Sequence, residues 1–192
     1  MPSRALHRWK NEGQRALDEL EAAHRSLGGK GPGRRYATEQ INQAYTVLLM
    51  SQFQRYCRDL HTEAIRSLVN AAPPDPRYNL LEILLTEGRK LDTGNANPGN
   101  LGADFGRFGM SFWEMVKAHK KGNIARQGKL SVLNDWRNAI AHQNFDTPIL
   151  AGRSRSRLAE IRKWRATCNM LALSFDAVVG AHLTPIIGKP PW

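Results

Sequence analysis

Cysteine is nearly missing from this chain: Cys57 and Cys168 are the only two among 192 residues. Neither belongs to a C-x-x-C pair, which excludes a zinc ribbon and a dithiol redox motif. Each falls on an apolar helical stretch, where a cysteine acts as a small buried hydrophobe. Long apolar runs are missing too. The first ten residues lack the hydrophobic segment of a signal peptide, and no stretch approaches the roughly 20 apolar residues that cross a bilayer. The expectation is therefore a soluble, cytoplasmic protein with no membrane partner. Acid is scarce: 17 Asp and Glu stand against 28 Lys and Arg, for a formal charge of +11. That sign favours nucleic acid or another anionic surface as partner. The aspartates and histidines are scattered, without H-E-x-x-H or an equivalent cluster, so neither a metal nor a cofactor is expected.

What is present suffices for one core, since 41% of the residues are hydrophobic and a chain of this length fits one domain, with or without appendages. The apolar residues recur at helical spacing and no strand pattern survives, which predicts an all-α, up-and-down bundle. A first helix is expected over residues 3–27, with Leu6, Trp9, Leu17, Leu20 and Leu27 on its apolar side. It stops at Gly28-Gly29, ahead of the basic loop Lys30-Gly31-Pro32-Gly33-Arg34-Arg35. That loop is no phosphate-binding Walker motif, because no strand precedes it and no Gly-Lys-Ser/Thr ends it. The longest helix is expected over 38–70, with Thr38 or a neighbour as N-cap, ended by Pro73-Pro74-Asp75-Pro76. A short helix over 80–91, an irregular loop over 93–100 and a helix over 104–120 follow. A basic connector between Gly122 and Gly128 leads to a helix over 131–144, and a last helix spans 153–183. The tail from Pro185 to Trp192 is expected to be loose. This divides the chain into an N-terminal helix and loop (1–37), a bundle (38–184) and a tail (185–192).

Within the penultimate helix lies Arg137-Asn138-Ala139-Ile140-Ala141-His142. With Leu133 at zero on a helical wheel, Trp136 and Ile140 fall within roughly 60° of it as a core-facing stripe. Arg137 falls at about 40°, Asn138 at about 140° and His142 at about 180°, fanned from the edge of that stripe to the far side. The chemistry open to such a set is limited. RNA brings its own nucleophile, the 2′-hydroxyl, so an enzyme needs only a proton acceptor, a proton donor and charge stabilisation. A histidine serves the first two near neutral pH, and an arginine fork matches phosphate oxygens. The competing reading is an arginine and a histidine that are merely surface groups or satisfied core groups.

The segment Leu133-Asn134-Asp135-Trp136-Arg137-Asn138-Ala139-Ile140-Ala141-His142 resembles the signature helix of the HEPN superfamily (higher eukaryotes and prokaryotes nucleotide-binding). Its pattern there is Arg, a polar residue, several variable residues and His. The run from Tyr45 to His61 also resembles the first bundle helix of bacterial HEPN-like proteins, so the likeness covers about residues 38–183, with the N-terminal helix as an appendage. The resemblance implies a HEPN-type bundle and a metal-independent endoribonuclease acting as a toxin or defence effector. It also implies a homodimer whose two motif helices meet, and an antitoxin or immunity partner. On that basis Arg137 would stabilise the phosphate, His142 would be the acid/base and Asn138 would position one of them. Other family members serve only as binding or scaffolding domains, and a non-catalytic nucleic-acid- or protein-binding module is the alternative here.

Two basic clusters flank the motif. Lys120, Lys121 and Arg126 precede it, and Arg153 and Arg155 open a run that continues to Arg165. A basic rim around a cleft would hold an RNA backbone; a solvated face is the plainer reading. Arginine at a helix start opposes the macrodipole, which hints at an outside reason for the second cluster. His61 is a candidate second proton-transfer group, against a plain role in an Asp/Arg network.

Overall fold

The computed structural model describes residues 1–27, 34–71, 77–145, 148–150 and 153–192, without the side chains of 27, 34–37, 77–79 and 149. Among these residues every regular element is helical, and all pack around one apolar core. The predicted all-α bundle is therefore the observed one. Gly28 to Gly33 and the Pro73–Pro76 breaker lie outside the described residues.

The N-terminal helix is part of the core rather than an appendage. It runs as α1 (Arg4–Arg8), a π-turn (Trp9–Gly13) and α2 (Gln14–Leu27). Ser3 caps it, its hydroxyl accepting the Leu6 N–H at 3.0 Å, and the Glu63 carboxylate accepts the Arg4 and Ala5 N–H groups at 2.9 Å each. These bonds satisfy donors that a helix start otherwise leaves orphaned. Leu6, Trp9 and Leu17 are buried. The Trp9 ring lies across Gly13, where a Cβ would sit 3.1 Å from it, and its indole donates to Asn169 at 3.1 Å.

The long α3 (Arg34–Ala71) begins a turn earlier than expected, so Thr38 lies inside it and is not its cap. It packs against α1, α2, α8 (Asn123–His142) and α9 (Leu158–Ile187). Beyond it, periodicity merged what the structure breaks. The expected helix over 80–91 is α4 (Arg77–Thr86) and α5 (Lys90–Thr93), split where Gly88 takes φ +65°. Arg107 fixes that break by donating to the carbonyls of Leu85, Glu87 and Gly88 at 3.2, 2.6 and 3.0 Å. Asp104 starts α5, its carboxylate accepting the Lys90 and Leu91 N–H groups at 2.8 and 2.7 Å. The irregular loop shrinks to residues 94–97, because Asn97 caps α6 (Pro98–Gly106) and Pro98 takes the first helical position. The expected helix over 104–120 is likewise divided: α6 ends at Gly106, and α7 spans Phe112–His119 after Gly109 turns the chain at φ +73°.

The motif helix α8 starts eight residues before the expected Ser131, and Gly128 is accommodated within it. In contrast, α9 starts late: Arg153 to Arg157 belong to no regular element, and Arg157, the N-cap, is extended. Pro185 does not end α9. It stands in the final turn, where its missing N–H costs a single bond, and the helix continues to Ile187 before Gly188 takes φ +78°. The tail is docked, with Trp192 against Gly180 and the Ser67 hydroxyl donating to the Pro191 carbonyl at 3.5 Å. Asp176 accepts the Ser3 N–H and hydroxyl, and burial pushes its carboxyl above the usual range.

One expectation about hydropathy is overturned. The α9 helix is long and apolar enough to cross a membrane, with mean hydropathy 1.6 over 18 residues. Here its Leu171, Phe175, Val179 and Leu183 fill the core. Cys57 on α3 and Cys168 on α9 are both fully buried and unpaired, and burial pushes both thiols up.

Candidate functional site

The α8 helix is held at its start by Asn123, whose buried amide donates to the Val116 carbonyl at 2.8 Å. Leu130, Leu133, Trp136 and Ile140 are buried, as the apolar stripe requires. Its C-terminus is closed by two bonds, Gln143 N–H to Ile140 at 3.3 Å and Asn144 N–H to Ala139 at 2.9 Å. This is the Schellman arrangement, with Gln143 in the left-handed position (φ 51°) where glycine is usual. His142 is the last residue of the helix and is exposed.

Asn138 is the best-held polar group of the motif. Its Oδ1 accepts from Asn95 Nδ2 at 2.7 Å and from Arg137 Nη1 at 3.2 Å. Two donors on the oxygen fix the amide and leave its NH2 with no acceptor among the described residues. Asn95 is itself pinned. Its carbonyl accepts from Asn100 at 2.8 Å, and Gln54 Nε2 donates to the flanking Leu91 and Gly94 carbonyls at 2.8 and 2.7 Å. Sequence reasoning missed Asn95. The one signal for it is the asparagine-rich stretch Asn95, Asn97 and Asn100, which reads as loop composition until the loop is seen against α8.

Arg137 is half-buried and makes no ion pair among the described residues, and His142 has no hydrogen-bond partner there. The motif thus presents the Arg137 guanidinium, the Asn138 NH2 and an imidazole, with no carboxylate among the described residues paired to any of them. Hydrogen-bond donors without a competing acceptor suit an anion. His142 lies five positions after Arg137, about 140° around the helix and about 7.5 Å along it. A single copy therefore offers them on different sides, and a second wall is needed to close a cleft.

The flanking cations fall into two places. Lys120 and Lys121 are exposed before the start of α8, and Arg126 donates to Asn123 at 2.9 Å in its first turn. Sixteen residues of helix put Arg126 about 24 Å from His142, and the lysines farther still. These three cannot share a phosphodiester with His142 on the same copy. Arg153 reaches α8 at Trp136, its guanidinium 5.9 Å from the ring centroid, and Arg155 pairs with Glu39 at 3.0 Å. Neither bonds to Asn138: Arg153 sits on the Trp136 flank and Arg155 at Glu39 on α3.

His61 is structural. It is fully buried, its Nε2 lies 3.0 Å from the Asp104 carbonyl and its Nδ1 3.4 Å from Arg89 Nη1. A carbonyl only accepts, so Nε2 carries the proton and Nδ1 accepts from Arg89. Burial, with Arg89 nearby, lowers its pKa to about 4. Among the described residues, no three His, Cys, Asp or Glu side chains come together as a metal site needs. Comparison of the chain with protein-family models, curated proteins and solved structures finds no match.

Proposed function

We propose that this chain is a metal-independent endoribonuclease whose site is built around Arg137, Asn138 and His142 and is completed by a second copy of the chain. The observation that carries the reading is the fixed Asn138 amide, whose NH2, like the Arg137 guanidinium and the His142 imidazole, is paired with no carboxylate among the described residues. In the reaction, the imidazole takes the proton of an RNA 2′-hydroxyl, and the 2′-oxygen attacks the adjacent phosphorus. The bond from phosphorus to the 5′-oxygen breaks, and that oxygen leaves with a proton. The products are a 2′,3′-cyclic phosphate and a 5′-hydroxyl. The guanidinium and the Asn138 NH2 hold the phosphate oxygens as their charge grows, where preorganised donors contribute most. A second copy supplies the opposite wall and the second proton-transfer group. The resemblance to HEPN proteins supports the same assignment and extends it to a toxin or defence role with an antitoxin partner.

The test is incubation of purified protein with RNA in EDTA, beside Arg137→Ala and His142→Ala. Wild-type cleavage to cyclic-phosphate ends, lost in both variants, is the expected result. Equal cleavage by all three would overturn the reading. Salt-sensitive RNA binding without product would make the chain a binding module instead.

A further inference from the structure

We infer that α4 (Arg77–Thr86) is a docking face for a second copy of this chain, the two α4 helices packing antiparallel about a two-fold axis. The face lies apart from the motif: among the described helices α4 packs against α3 alone and does not touch α8.

For a lone chain this helix is turned inside out. Leu80, Ile83 and Leu84 are 56, 54 and 61% exposed and Leu81 is 36% exposed, whereas Glu82 and Thr86 are only partly exposed. With Leu80 at zero on a helical wheel, Leu81, Ile83 and Leu84 fall at about 100°, 300° and 40°, one apolar arc about 160° wide. Glu82 and Thr86 fall on the other side, at about 200° and 240°. Half a turn about its own axis would hide the leucines, but the helix is not free to make it. Arg107 donates to the Leu85, Glu87 and Gly88 carbonyls at its end, and Leu85 packs against the core. Four of the seven large hydrophobic side chains that the described residues expose therefore gather on one fixed helix, and a contiguous patch of that kind marks an interaction site.

Symmetry and charge identify the occupant. A two-fold contact needs a patch that is complementary to itself. Leu80, Leu81, Ile83 and Leu84 stand symmetrically about position 82. Antiparallel pairing centred there sets Leu80 of one copy against Leu84 of the other, and Leu81 against Ile83, so each apolar side chain of the arc meets another. The same pairing brings the exposed Glu87, which makes no ion pair among the described residues, to the positive end of the other α4. Two chains of charge +11 repel each other, and they repel least where the surface is apolar and acid-bearing. The described side chains of α4 include Glu82 and no Lys or Arg. An anionic lipid surface fits less well, because a helix that lies on one carries basic residues along its polar face. Ten helical residues span about 15 Å, too little to give each copy the roughly 800 Å² of a standard interface, so the pairing is reversible.

Sedimentation equilibrium of the full chain, from micromolar to submillimolar concentration, tests this. The comparison is with Leu80→Glu/Leu84→Glu and with Ile186→Glu, which charges a similarly exposed isoleucine at the end of α9. At the highest concentration the α4 double variant should have half the mass of wild type, and Ile186→Glu the full mass. Glu87→Gln should weaken the pairing about two- to fivefold, the worth of a carboxylate at a helix N-terminus. Leu80→Cys/Leu84→Cys should form covalent pairs under a mild oxidant, since Cys57 and Cys168 are buried and leave the new thiols as the reactive ones. Circular dichroism checks the fold of each variant, and where the glutamate variant is unfolded the cross-link decides. Equal mass for wild type and a folded glutamate variant, equal loss in Ile186→Glu, or no cross-linked pair overturns the proposal. RNA cleavage is scored separately. Wild type that pairs through α4 and cuts no RNA defeats only the ribonuclease reading, and RNA cleavage with no pairing through α4 defeats only this one.

Discussion

Asn95 and Asn138 are joined amide to amide, the Asn95 Nδ2 donating to the Asn138 Oδ1 at 2.7 Å across 43 positions of sequence. The bond ties a short loop to the motif helix and decides which end of the Asn138 amide is left without a partner among the described residues.

Replacing Asn95 by alanine leaves Arg137 as the sole donor to that oxygen and frees the amide to turn. RNA cleavage should fall about tenfold or more, in line with the cost of loosening a positioning group, while the melting temperature shifts by only a few degrees. The split matters: a loss in kcat with little change in KM marks a positioning role. Unchanged kcat would remove Asn138 from the chemistry.

His61 makes stability depend on acid. The unfolded chain takes up its proton below the ordinary value of 6.5, and the folded chain only near 4. The contribution of neutral His61 is thus complete above pH 6.5 and is lost as pH falls through that window. The total is about 3 kcal/mol. Asp176 works in the opposite sense, since its raised carboxyl pKa makes the folded state the better proton binder as pH falls. Comparing urea unfolding of wild type and His61→Gln across the window isolates the histidine. The variant should show the flatter acid limb, and parallel limbs would refute the assignment.

Gln143 holds a left-handed conformation at φ 51° immediately after His142. Glycine adopts it without a Cβ penalty, so Gln143→Gly should raise stability by about 0.5–1 kcal/mol in thermal or urea unfolding. A loss of stability would mean that the bond from Gln143 Nε2 to the Ile140 carbonyl, 2.8 Å, outweighs the strain.

Trp9 tests how far the N-terminal helix belongs to the bundle. Its ring is 3% exposed, lies against Phe53 and Tyr56 and donates to Asn169. Trp9→Ala should cost about 3–5 kcal/mol, the range for emptying an aromatic site in a core. A shift below about 1 kcal/mol would instead describe a detachable appendage.

The helical class and the motif helix were legible because Leu133, Trp136 and Ile140 recur on one face, and burial of one face is what periodicity reports. The breaks at Gly88 and Gly109 were not, since each depends on a residue distant in sequence or on a positive φ. Arg107 closing α4 and Asp104 opening α5 leave no periodic trace. The start of α9 was misplaced for a related reason: Arg153 and Arg155 find partners in Glu160 and Glu39, which composition cannot reveal. Asn95 was hidden by its own residue type, which elsewhere marks ordinary turns. The docking of the N-terminal helix rests on Arg162, Arg165 and Asn169 reaching Glu21, Asp18 and Trp9, pairings that span most of the chain.

Cys57 and Cys168 sit in the α3–α9 core, their thiols protonated and out of solvent reach. Thiolate chemistry at either one requires that core to part. The protein consequently carries an intrinsic clock for its own opening. The rate at which a thiol reagent consumes two equivalents, followed with and without RNA or nucleotide, reports how often the two longest helices separate.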